Sequence, residues 1–187
     1  MGASTSNVKR QAGELCQPAT VHAHQLRDDG LIPNNPNLPL LIYEGALNLP
    51  ENAAAEAVED LVTVNEWGGS WRNGIYDYHH YHSTAHEVLV VYCGSASVQL
   101  GGERGITAKI QRGDILIIPA GVAHKNIGAS PDFKVLGAYP KGQDWNMCYG
   151  KASERPGADQ EISRVPLPKA DPVYGTGGPL MQHWGQH

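Results

Sequence analysis

The chain has 187 residues, of which 22 are glycine and 13 proline, with 41% apolar and 18% charged residues. That length suits one domain, the apolar share supports a single compact core, and the glycine and proline content argues against a helical bundle. A net charge of −5 without any local Lys/Arg cluster gives no electrostatic basis for nucleic-acid binding, and no apolar run is long enough to span a bilayer.

Residues 1–20 are polar and aperiodic, and are expected to be poorly ordered. Met1-Gly2-Ala3-Ser4-Thr5-Ser6 satisfies the loose myristoylation pattern, but with no basic patch beside it the match reads as coincidence. A folded domain over 21–140 follows. Its first part alternates extended pieces with breakers. Pro33 stops Leu31-Ile32, Asn34-Asn35-Pro36-Asn37 reads as a turn, and residues 38–43 read as a short strand confined to a sheet edge by Pro39. Residues 51–66 form the one convincing helix. Pro50 takes its first position, Glu51 and Glu56 lie at its positive end, positions 54, 57, 58, 61 and 62 make an apolar stripe, and Gly68-Gly69 stop it.

After Trp71 the pattern changes to short strands at 74–82, 87–93, 95–100, 106–111, 114–118 and 133–139, with glycine turns between them. The spacing predicts an all-β antiparallel sandwich or barrel. Gly101-Gly102-Glu103-Arg104-Gly105 is a hairpin connection, not a phosphate loop, because no Lys-Ser/Thr and no helix follow it. Residues 141–187 are rich in proline and glycine, and predict an extended C-terminal tail that wraps the barrel or a neighbouring subunit. Trp145, Tyr149 and Trp184 are its docking anchors.

Cys16, Cys93 and Cys148 fit neither a disulfide framework nor a zinc knuckle, and read as thiols of a cytoplasmic protein. The histidines carry more information, since four of the nine fall at positions 79, 80, 82 and 86. On an extended segment His80 and His82 share a face. A turn through Ser83-Thr84-Ala85 brings Glu87 beside them, and His124, just after the Pro119-Ala120-Gly121 turn, is available as a fourth ligand. Imidazoles with one carboxylate suit a single divalent transition metal (Fe, Mn, Ni, Zn, Co or Cu) and not the all-oxygen shells of calcium or magnesium. His79 and His86 fall out of phase with that face or beside a ligand, and read as outward or ligand-orienting residues. Tyr76 and Tyr78 share parity with His80 and His82. They are expected to line the cavity as acid/base or substrate-orienting candidates, beside Glu87 as a possible base; core packing is the alternative. Trp67 and Trp71 read as packing residues, and Lys125 and Asn126 as solvated loop residues.

These residues resemble the cupin family. Its first motif, Gly-x5-His-x-His-x3–4-Glu-x6-Gly, is matched by Gly74, His80, His82, Glu87 and Gly94. Its second, Gly-x5-Pro-x-Gly-x2-His-x3-Asn, is matched by Gly113, Pro119, Gly121 and His124, with Gly128 at the last position and an Asn two residues early at Asn126. The resemblance implies a small jelly-roll β-barrel with the metal ion inside it, and a homodimer. More narrowly, the blocks at 32–40, 71–82 and 171–175 look like the YjlB-type cupins, which implies a scaffold and no particular substrate.

The functional expectation is a metal-dependent enzyme on a small oxygen-rich organic molecule, dioxygenase-like by resemblance. Four protein ligands close a tetrahedral zinc site but leave two positions on an octahedral ion. Two alternatives stand beside it. One is a non-catalytic module that binds a small ligand or metal. The other is a sugar or sugar-phosphate isomerase, for which Lys109 and Lys134 are the only strand lysines able to meet a phosphate.

Overall fold

The computed structural model describes residues 13–185, so the myristoylation-like hexapeptide and residues 1–12 of the expected loose segment lie outside the described residues. Residues 13–20 are not loose. Cys16 bridges Leu47, Gln17 N–H donates to the Ala46 carbonyl at 3.0 Å, and Asn48 N–H donates to the Leu15 carbonyl at 2.8 Å. Polar composition hid this, because the pairing runs through backbone groups.

Among the described residues nine strands form two antiparallel sheets. In chain order they are β1 (Thr20–His24), β2 (Leu40–Glu44), β3 (Trp67–Asn73), β4 (Glu87–Cys93), β5 (Ser95–Leu100), β6 (Ile106–Gln111), β7 (Ile115–Ile118), β8 (His124–Ala129) and β9 (Lys134–Pro140). The larger sheet has the order β1-β2-β7-β4-β9-β3 and the smaller β6-β5-β8. This is the jelly-roll arrangement, open at its edges.

Strands β4 and β7 read almost wholly apolar, and the packing gives the reason. Val88 and Val90 face one core cluster, while Leu89 and Val91 face another. Ile115 and Ile117 divide from Leu116 and Ile118 in the same way. One cluster lies between the two sheets. The other lies between the larger sheet and helix α1 (Ala54–Val64), together with Val173, Leu180 and Trp184 from the C-terminal segment. A strand covered on both faces has no solvent side to alternate with.

Three local expectations are corrected. Helix α1 starts at Ala54, beyond Pro50, and buries Ala55, Val58, Leu61 and Val62. It ends at Asn65 and the left-handed Glu66 (φ 65°), while Gly68 and Gly69 belong to β3, which bulges between Gly68 and Trp71. The strand carrying Leu41 is not an edge, because β2 pairs with both β1 and β7; Pro39 lies just outside it and withholds no ladder donor. Residues 74–82 are not a continuous strand. His80 and Tyr81 make isolated bridges to His124 and Cys148, and β3 occupies the edge position beside β9.

The C-terminal segment packs along its own barrel, with a 3-10 turn at Ala152–Glu154 and the short helices α2 (Gly157–Ile162) and α3 (Pro179–Trp184). Asp171 anchors it. This fully buried carboxylate accepts hydrogen bonds from the Tyr43 hydroxyl (2.6 Å) and from the N–H groups of Leu180 (3.1 Å), Val173 (2.9 Å) and Tyr174 (3.0 Å). The Trp184 indole donates to the Pro39 carbonyl at 2.9 Å.

Candidate metal centre

The four side chains singled out by spacing come together in the structure from three pieces of backbone: the 80–82 segment, β4 and β8. His80 pairs with His124 across an isolated bridge, with His124 N–H donating to the His80 carbonyl at 3.0 Å. His82 is placed by Gly121, whose N–H donates to the His82 carbonyl at 2.8 Å. Gly121 has φ +92°, and a Cβ there would lie 2.4 Å from the Asn34 carbonyl oxygen, so only glycine makes this turn without displacing it. Glu87 opens β4 opposite Ile118, and His124 opens β8 opposite Leu100.

The ligand atoms of His80, His82 and His124 all lie within 4.8 Å of one another, and all three residues are buried. Among the described residues no other group of three histidine, cysteine or acidic side chains converges in this way. Glu87, 1% exposed, stands beside the triad. Its Oε2 is in ion-pair contact with His82 Nε2 at 3.3 Å and His124 Nε2 at 3.2 Å, but no hydrogen bond of good geometry reaches it. A fully buried carboxylate oxygen left without a donor is costly unless something else meets it.

Hydrogen bonds at the far ring nitrogens fix which nitrogen faces inward. His80 Nδ1–H donates to the Tyr78 carbonyl at 3.2 Å, and His82 Nδ1–H donates to the Asn146 carbonyl. In its neutral form each of these rings therefore leaves Nε2 free, the tautomer a metal ligand needs. Burial, aided by the neighbouring His124, pulls the His80 imidazole down to about 3, so it is neutral at ordinary pH. Burial also acts to lower His82, but attraction to the Glu87 carboxylate and the hydrogen bond to the Asn146 carbonyl outweigh it and hold this ring above the usual histidine value. Burial alone would raise Glu87; the two imidazoles beside it instead hold it well below the carboxylate range. A buried anion facing two inward Nε2 atoms, with a third neutral imidazole alongside, fits a divalent transition ion.

The set lines a cavity of about 210 Å³ whose other walls include Trp71, Tyr76, Tyr139 and Trp145. Tyr76 is where its parity placed it. Tyr78 is not a lining residue; it stacks on the outer side of Tyr76 with ring centroids 4.9 Å apart. The hydroxyl that spacing missed is Tyr139 on β9. It accepts a hydrogen bond from the Trp71 indole at 2.9 Å, and burial and the nearby Glu87 push its pKa up, so it keeps its proton. Trp71 is a wall as well as a packing residue. It lies across Gly137 of β9, where a Cβ would fall 2.2 Å from the indole. Only this three-dimensional pairing reveals it. His79 contacts Glu103 at 2.9 Å, away from the set. His86 is fully buried, its Nδ1 accepts from the Ala120 N–H at 2.9 Å, and its ring packs on Trp184.

Two sheets in jelly-roll order around a buried His-His-Glu-His set define a class, and the family model described as cupin matches residues 72–141. The chain belongs to the cupin family. It is 45% identical over 157 residues to the uncharacterized protein YjlB of Bacillus subtilis (strain 168), covering 84% of this chain and 92% of that one. Solved structures of similar fold include a DUF861 family protein from Thermotoga maritima, at 20% identity, TM-score 0.34, 52% of this chain and 96% of that chain. They also include an acireductone dioxygenase from Bacillus anthracis with a cadmium ion in its active centre, at 15% identity, TM-score 0.32, 46% of this chain and 57% of that chain.

Proposed function

We propose that this cupin is a metal-dependent enzyme acting on a small oxygen-bearing organic substrate, with a dioxygenase-type oxidation as its reaction. The observation that carries the reading is the buried Oε2 of Glu87, without a hydrogen-bond donor of good geometry, facing the Nε2 atoms of His82 and His124. His80, His82, Glu87 and His124 would hold a redox-active ion, which when bound would supply Lewis acidity and electron transfer to O₂. The protein's own part is positional. The Tyr78 and Asn146 carbonyls hold two imidazoles in one tautomer, Glu87 supplies the compensating charge, and Tyr139 presents a hydroxyl beside it. Tyr76 orients substrate from the cavity wall.

An isomerase of phosphorylated sugars draws no support from the cavity. Lys109 and Lys134 are not among its lining residues, and Arg72, which is, pairs with Glu56 at 2.8 Å and Glu59 at 2.6 Å. No described helix is long and apolar enough to cross a membrane. A cytoplasmic homodimer is part of the proposal, resting on the cysteine pattern and the family resemblance, and light scattering checks the dimer.

Elemental analysis of purified protein, followed by O₂ consumption against diols, diketones and phenols, tests the reading. Iron or manganese near one ion per chain with substrate-dependent O₂ uptake is the expected result. Tightly held zinc with no O₂ uptake points instead to the non-catalytic binding module.

A further inference from the structure

The walls of the metal cavity restrict what enters it. Seven large hydrophobic side chains are exposed among the described residues, and four of them are the aromatics Tyr76, Tyr78, Trp145 and Tyr149. They are not scattered. Tyr76 and Trp145 line the cavity, Tyr78 stacks on Tyr76, and Tyr149 lies 6.0 Å from Tyr78. On the His82 side, Trp145 lies 5.6 Å from the imidazole and stacks with Tyr139 at 6.0 Å. On the His80 side, Tyr76 meets the imidazole at 5.3 Å. Exposed rings gathered at one cavity rim mark a surface that a ligand covers.

Charge and size narrow the ligand further. With three imidazoles and one carboxylate as ligands, a bound divalent ion would keep a single positive charge, which a monoanionic chelator neutralises. The one cationic side chain on the cavity wall, Arg72, is already paired with two glutamates, so a phosphate or second carboxylate finds no counter-charge. A cavity of about 150 Å³ holds a benzene ring. The 210 Å³ here therefore suits one substituted ring.

We propose that the cavity binds a planar oxygen chelator built on one unsaturated ring, an enol or hydroxyl beside a carbonyl that ionises once on binding, and that Trp145 selects the ring. The inference rests on the metal-site reading. Its selectivity belongs to the aromatic wall, which can be tested apart from any turnover.

Protein loaded with cobalt(II) is titrated with maltol, lactate, oxalate and glucose 6-phosphate, following cobalt absorption and tryptophan fluorescence, with bound cobalt measured in each sample. Maltol is expected to bind about tenfold more tightly than lactate or oxalate, the range of one aromatic stacking contact, with glucose 6-phosphate weakest. Trp145→Ala should remove that advantage without changing cobalt content or lactate affinity, and Trp145→Phe should restore most of it. Cobalt retained with no preference for maltol, or a preference untouched by Trp145→Ala, overturns this inference alone. Failure to hold cobalt at all brings down the metal reading and this inference with it.

Discussion

Asp171 offers the most quantitative test of how the C-terminal segment is held. Its carboxylate is fully buried and accepts four hydrogen bonds, one from the Tyr43 hydroxyl of β2 and three from backbone N–H groups of the segment itself. Asp171→Ala leaves those donors without an acceptor. At about 1–3 kcal/mol for each buried donor, with some relief as water enters the space, the expected loss is about 3–5 kcal/mol. Asp171→Asn should cost less, about 2 kcal/mol, because the amide oxygen still accepts from Val173 and Tyr174 while its NH₂ meets the Leu180 N–H donor to donor. Tyr43→Phe removes one contact, and combined with Asp171→Ala should show a coupling energy of about 1 kcal/mol or more. Urea denaturation gives the energies, and amide exchange over residues 171–185 reports where protection is lost. An Asp171→Ala protein within 1 kcal/mol of wild type, its C-terminal amides still protected, refutes the anchor.

Removing a metal ligand, as in His82→Ala or Glu87→Gln, should lower metal affinity by more than the roughly 10–100-fold typical of losing an outer partner, read by competition with a chelator. Asn146→Ala removes the side-chain bonds to Ser83 (2.9 and 2.7 Å) that fix the carbonyl behind His82, and should fall within that 10–100-fold range with the fold intact. Gly137→Ala drives a methyl into the Trp71 indole; about 1–3 kcal/mol of destabilisation and a weaker Trp71–Tyr139 bond are expected, seen in tryptophan emission. Burial, only partly offset by the Pro166 carbonyl, lowers His86 to about 4. The folded state resists its protonation, so this contribution to stability is complete above about pH 6.5, shrinks as pH falls toward 4, and totals about 3 kcal/mol. His86→Asn, which keeps an acceptor for the Ala120 N–H, should flatten the stability slope between pH 6.5 and 4; an unchanged slope contradicts the assignment.

The convergence of His80, His82, Glu87 and His124 was legible because its information is local. His80 and His82 share parity, Glu87 follows one turn later, and Gly121 sits where only a positive φ lets the chain return toward His124. Strands β4 to β7 and β9 were legible because glycine turns separate them, while β3 was not, because Gly68 and Gly69 within it read as a helix stop. Strand β8 was not, because His124-Lys125-Asn126-Ile127-Gly128-Ala129 carries polar groups on a partly exposed edge and shows no apolar alternation. The Asp171 anchor left no trace in the linear pattern, since the Tyr43 hydroxyl that ties it to the barrel lies 128 residues away along the chain. Tyr139 escaped for a similar reason. It reads as one more apolar residue of β9 until the Trp71 indole is seen to reach it across the sheet. His80 and His82 were expected to meet because a full strand would put them on one face, whereas two isolated bridges, at His80 and Tyr81, hold this stretch.

The stretch that marks this chain as a cupin stops at residue 141, and the carbonyl behind His82 and the indole of Trp145 come after it. Anyone grafting the signature region onto another scaffold, or trimming the chain to it, would carry off the ligands without one wall and without the clamp that keeps an imidazole turned inward. The smallest transplantable part of this protein is therefore longer than its signature.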